Sequence, residues 1–187
     1  MSVTTVPDAT KLITGEQLLE MGDIGPCELI DGRIVPMSPT AKRHGALESR
    51  LDRYLGRFVE SHKLGETFVG EVGIYTRRNP DRIRAADFAF VSKERLAQSP
   101  SEGFLGVAPE LVIEIVSAYD RWLDIRQKLE EYFSIGVERL WIVEPETRDV
   151  LVYRSTTEML QLREGDRLAG EGKLEGCELQ IADLFAE

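Results

Sequence analysis

The spacing of apolar and polar positions changes several times along the chain, and each change marks an element. Leu47, Leu51, Tyr54, Leu55 and Phe58 recur at helical spacing within "SPTAKRHGALESRLDRYLGRFVESH", which predicts a long amphipathic helix. Ahead of it, Thr14 with Gln17 three residues on forms a capping-box pattern for a short helix ending near Met21. "CELIDGRIVPM" reads as two short strands around Asp31-Gly32, a dipeptide suited to the positive φ angles of a tight hairpin. "TFVGEVGIYT" and "IRAADFAFV" read as strands separated by the turn-forming "RRNPDR", and "SKERLAQ" as a short helical piece. "LVIEIVS" (111–117) is apolar on both faces, as a central strand between helices should be. A helix from about Asp120 to Ile135, stopped by Gly136, precedes the strand "ERLWIVE". "DVLVYR" and "EMLQLRE" alternate like antiparallel edge strands, "IADLFAE" closes the chain with a helical turn, and residues 1–13 read as a loose lead-in. This order predicts a mixed α/β (α+β) domain, helices flanking one central sheet with extra antiparallel strands at both ends.

Composition narrows the class. With 187 residues, 42% hydrophobic and 30% charged, the chain suits one domain with its own core. No run approaches the roughly 18–20 apolar residues of a membrane span, and "MSVTTVPDATK" lacks the pattern of a secretory leader, so a soluble cytoplasmic protein is expected. Cys27 and Cys177 are far apart without a CxxC pair and read as packing residues. Phosphate-loop, dinucleotide, GxSxG and HExxH patterns are absent. With only His44 and His62 present, carboxylates and lysine are left to carry any chemistry. The formal charge of −10 argues against broad adhesion to nucleic acid. Locally, bases outnumber acids between Arg77 and Arg95, a segment that could face a polyanion, whereas acids dominate from Glu138 onward.

Glu114 stands out because Leu111, Val112, Ile113, Ile115 and Val116 surround it. An ionised carboxylate in such a strand is costly unless it pairs, binds a metal or lies at the strand's open end. One reading is a buried salt bridge with an arginine. The other draws on Asp87, a second acid among Ala86, Phe88, Ala89 and Phe90. Two acids from neighbouring strands can converge, and hard divalent ions such as magnesium take one or two carboxylates plus water and phosphate oxygens. On the following helix Lys128 borders the stripe of Ile125, Leu129, Tyr132 and Phe133, where its stem could follow the core to the sheet's end. An exposed ion pair with Asp124 at i,i+4 is the plainer reading of that lysine.

These residues resemble the PD-(D/E)XK nuclease superfamily, and more closely the Uma-two family classed there among restriction endonucleases. "ELIDGRIVPMSPTAKRHGALESRL" is similar to that family's opening hairpin and first helix, "RAADFAFV" to its PD strand, and "PELVIEIVS" with "DIRQKLEEYFSIGVERLWIVEP" to its second motif, helix and next strand. Two positions depart from the pattern. Ala86 replaces the proline, which removes no ligand, and Val116 stands where the superfamily's lysine would share a face with Glu114. The resemblance implies that Lys128 supplies the lysine from the helix. It further implies a restriction-endonuclease-like fold and a magnesium ion, with manganese as a substitute, held by Asp87, Glu114 and the carbonyl of Ile115. DNA would be the substrate and a dimer the natural assembly. His44, Glu48 and Glu71 are further candidates for the same cleft. A non-catalytic nucleic-acid-binding or assembly module that keeps the nuclease fold is the alternative, and a structural role with every acid in a salt bridge a third.

Overall fold

The structure is a computed structural model in which residues 12–99, 102–117 and 120–186 are described. The Thr14 capping box forms as its sequence suggests: Thr14 Oγ1 accepts from the Gln17 N–H and Gln17 Oε1 from the Thr14 N–H, at the start of α1 (Gly15–Glu20). The described end of the lead-in is tied down, because Ile13 donates to the Gly32 carbonyl at 2.9 Å; residues 1–11 lie outside the described part. β1 (Cys27–Ile30) and β2 (Arg33–Pro36) make the expected hairpin, with positive φ at Asp31 and Gly32. α2 (Lys42–His62) buries Leu47, Leu51, Leu55 and Val59. Tyr54 is exposed, contrary to its assignment to the apolar face, because the buried stripe repeats every four residues and Val59 completes it.

The remaining elements are β3 (Gly65–Arg77), β4 (Arg82–Ser92), α3 (Lys93–Leu96), β5 (Leu111–Ile115), α4 (Trp122–Ser134), β6 (Arg139–Glu144), β7 (Asp149–Tyr153) and β8 (Met159–Leu162). Beyond them β9 (Arg167–Ala169) and β10 (Glu178–Gln180) pair as a separate small hairpin before α5 (Ile181–Leu184). This hairpin is absent from the sequence reading, since three-residue strands are too short to display an alternation. Its Leu168 and Leu179, with Ile181 and Leu184 of α5, fold back against α2 in the larger core.

One mixed sheet of eight strands organises the rest, in the order β2-β1-β4-β5-β6-β7-β8 with β3 on β4. Among the described strands only β5 and β6 pair in parallel, joined by α4 as a crossover. On one side Phe88, Phe90, Ile113 and Trp141 pack with the α2 leucines; on the other Ala89, Val112, Leu140 and Ile142 pack with Leu129 and Tyr132 of α4. The central strand β4 is branched. Along one edge it carries β3; along the other it meets β1 at Ile83 and β5 at Phe88–Phe90. Asp87 lies where those two neighbours part.

The basic segment between Arg77 and Arg95 does not form a free cationic face. Arg77 and Arg82 pair with Asp31, Arg78 with Glu16, Arg84 with Glu28 and Glu131, and Arg95 with Glu110 and Glu138. Apart from the contact of Arg78 with nearby Asp81, these partners are distant in sequence, so local charge counting cannot reveal them.

At the start of β3, a Cβ added to Gly65 would lie 2.1 Å from the Val91 carbonyl oxygen. That backbone atom cannot turn aside. Gly65→Ala should therefore lower unfolding stability by about 1–3 kcal/mol, the usual range for overpacking; an unchanged denaturant midpoint would refute the close β3–β4 approach.

Candidate active site

The β4–β5 register pairs Phe88 with Ile113 and Phe90 with Leu111. One further step sets Asp87 opposite Glu114, within side-chain reach across a strand pair. Instead of continuing the ladder, Asp87 Oδ2 accepts from the Ile115 N–H at 2.6 Å. The acid thus replaces a backbone bond at the fork of the sheet.

Glu114 is buried, and both of its oxygens are engaged from α4. Lys128 Nζ lies 2.7 Å from Oε2, and the fully buried Tyr132 hydroxyl donates to Oε1 at 2.6 Å. The two donors sit one turn apart on the helix, so a single face delivers both. Burial pushes the Glu114 carboxyl up to about 7; Lys128 opposes that rise and the Asp87 charge adds to it. Burial alone would lower the Lys128 ammonium, yet Glu114 and Glu28 outweigh it and raise the lysine above its ordinary value. Asp124 is not the partner of Lys128, and no arginine is the partner of Glu114.

On β3 the register slips between Val69 and Val72, so that Gly70 and Glu71 together oppose the single Asp87. Both have positive φ, 79° and 57°, and form a bulge that turns the strand toward the acid. Glu48 of α2 accepts from the Gly70 N–H and fixes the bulge to the helix. One turn earlier, His44 Nε2 approaches Asp87 Oδ1 to 3.0 Å without hydrogen-bond alignment, a contact of charge on an otherwise unpartnered buried nitrogen. Asp87 raises the His44 pKa, helped by Glu48 and Glu71 against burial. Glu48 is raised first by burial and then by the Asp87 and Glu71 charges. His44 therefore contacts Asp87, Glu48 holds the bulge that faces it, and the Glu71 charge is felt by both His44 and Glu48.

Two participants escape a reading of the sequence. Tyr132 reads there as part of the apolar stripe, and only its position four residues after Lys128 hints that the two act together. Glu28 reads as a polar residue of a hairpin strand, although its carboxylate accepts from Arg84 and from the Ala85 N–H and lies 3.4 Å from Lys128 Nζ.

Comparison with known proteins shows the family and the fold. The family described as "Putative restriction endonuclease", Uma2, matches residues 16–182, and the chain belongs to that family. A crystal structure from Anabaena variabilis ATCC 29413, described as "a putative nuclease belonging to DUF820", superimposes with a TM-score of 0.77. The alignment covers 93% of this chain and 98% of that one at 20% identity, a likeness of fold. No curated protein matches the chain. No helix among the described residues is long and apolar enough to cross a membrane.

Asp87, Glu114 and the Ile115 carbonyl offer oxygen donors, the kind a hard divalent cation takes. Asp87 Oδ1 carries no aligned hydrogen bond, and each Glu114 oxygen, with one donor attached, keeps a lone pair. Among the described residues no group of three His, Cys, Asp or Glu side chains is placed to hold a metal ion, so any ion here would rest on fewer side chains. Two carboxylates and a carbonyl leave positions for water and substrate, the arrangement in which magnesium is usually held.

Between the ordinary carboxylate range and about pH 7, the folded protein keeps a proton on Glu114 that the unfolded chain has lost. The Glu114 contribution to stability thus declines as pH rises through that window. Carbon-13 NMR of the glutamate carboxyls should show one midpoint near 7 in the metal-free protein. Lys128→Met should move it higher by removing the opposing cation, and a midpoint in the ordinary range would contradict the buried geometry.

Proposed function

We propose that the protein is a metal-dependent endonuclease that hydrolyses phosphodiester bonds in DNA. The observation that carries this reading is the meeting of Asp87, Glu114 and Lys128, each from a different element, at the fork of the sheet. Asp87, Glu114 and the carbonyl of Ile115 would hold magnesium, or manganese in its place. Such an ion supplies charge neutralisation at a phosphate oxygen and makes water more acidic. The chain's own part is arrangement. Asp87 is locked by the Ile115 N–H, Glu114 is aimed by Tyr132, and the Lys128 ammonium would stabilise the negative charge that develops on the phosphoryl oxygens. His44 and Glu48, on the α2 side of Asp87, border the space a water or phosphate oxygen would enter.

Family membership and the fold likeness support this reading. A net charge of −10, with most arginines of the basic segment already paired, makes a divalent ion the principal attraction for phosphate. Cutting both strands of a duplex calls for two such sites, so two copies of the chain should associate on DNA.

Plasmid nicking in magnesium or manganese tests the proposal. Asp87→Ala, Glu114→Ala and Lys128→Ala should each slow cleavage at least about a hundredfold, the scale of losing one preorganised charge or donor. Cleavage that persists in all three variants, or in excess EDTA, would rule out this site. DNA binding without turnover in either ion would instead favour a module that keeps the nuclease fold for binding alone.

A further inference from the structure

Lys128 Nζ donates to Glu114 Oε2 at 2.7 Å and to the Ala85 carbonyl at 3.2 Å, and makes a third contact, an ion pair without a hydrogen bond, with Glu28 Oε1 at 3.4 Å. An ammonium has three protons. Two are given to hydrogen bonds within the protein here, and the third has only the longer ionic contact with Glu28. The contact with Glu28 is the longest of the three. Glu28 itself is fixed: it is buried, takes Arg84 Nη1 at 2.8 Å on Oε2 and the Ala85 N–H at 3.1 Å on Oε1. Behind it Arg84 is clamped by Glu131 through Nε at 2.6 Å and Nη2 at 3.0 Å, and Glu131 also pairs with Arg82. Charges alternate in sign from Lys128 to Arg82, so the Glu28 carboxylate is an anchored anion.

A divalent cation at Glu114 would compete for Oε2 and repel the ammonium that now occupies it. A lysine displaced from a partly buried place needs another counter-charge to remain there. We propose that Glu28 is a positioning residue that receives the Lys128 ammonium when Glu114 turns to a divalent ion, and so holds the charge beside the site with a proton available to the substrate. This inference rests on the metal-dependent reading above. No bond is made or broken; the ammonium moves between two carboxylates and keeps its bond to the Ala85 carbonyl.

Manganese binding by the full chain, measured by titration calorimetry and electron paramagnetic resonance, tests it in the wild type, Glu28→Gln, Lys128→Met and the double variant. Glu28→Gln should weaken manganese binding roughly ten- to a hundredfold, the usual cost of losing an outer partner of a metal ligand. That penalty should shrink in the Lys128→Met background, where no ammonium needs a new place. Unchanged affinity in Glu28→Gln, or an equal penalty in both backgrounds, overturns the role of Glu28 and leaves the nuclease reading standing. A wild-type protein that binds neither manganese nor magnesium removes both. Should Glu28→Gln fail to fold, a wild-type crystal soaked in manganese decides: Lys128 Nζ within about 2.9 Å of Glu28 supports the exchange, and Nζ still on Glu114 overturns it.

Discussion

A carboxylate in the middle of an apolar strand is tolerable only if something brings it donors, and for Glu114 that something is one face of α4. Leaving such a charge buried and unpaired costs several kcal/mol, which ties the helix to the sheet as firmly as apolar packing does. Tyr132 contributes to both requirements: its ring lies in the core beside Leu129 and its hydroxyl ends on Glu114. Once that tyrosine is seated, the lysine one turn earlier reaches the other oxygen. The chemistry of the site and the docking of the crossover helix are therefore one arrangement.

Asp87 depends on a different constraint, the branching of β4. A strand with continuous partners on both edges would leave no room for a side chain to take a backbone N–H. Because β1 leaves the edge before β5 joins it, Asp87 can bond Ile115 across the gap, while the Gly70–Glu71 bulge closes on it from the other edge. Four buried charged residues, Glu28, Arg84, Asp87 and Glu114, lie on the strands β1, β4 and β5 that meet around this fork. Arg84, which a charge count would offer to a polyanion, is used instead to neutralise Glu28 and Glu131.

Much of this was legible because it is local. The helix of Leu47, Leu51 and Leu55, the Asp31-Gly32 hairpin and the two acid-bearing strands follow from periodicity and turn chemistry within a few residues. The meeting of Asp87 with Glu114 could be anticipated from their hydrophobic neighbours, and the helix position of Lys128 from its place at the edge of an apolar stripe. Glu28 could not, because its role arises from pairing between β1 and β4, far apart in sequence. Nor could Tyr132, whose ring satisfies the apolar pattern and conceals its hydroxyl. The small β9–β10 hairpin escaped for want of length, and the ion pairs of Arg77 to Arg95 because each partner comes from another element.

That the lysine rides on a helix also gives the assembly a direction of failure. The first turn of α4 has Arg121 at its N-cap and no side-chain bond to close it. Helices melt first at ends whose N–H groups lack partners. Unwinding that advances from Trp122 reaches residue 128 while residue 132, fully enclosed, is still held. The ammonium is then lost before the phenol, and Glu114 passes through a condition in which a neutral donor is its only companion from the helix.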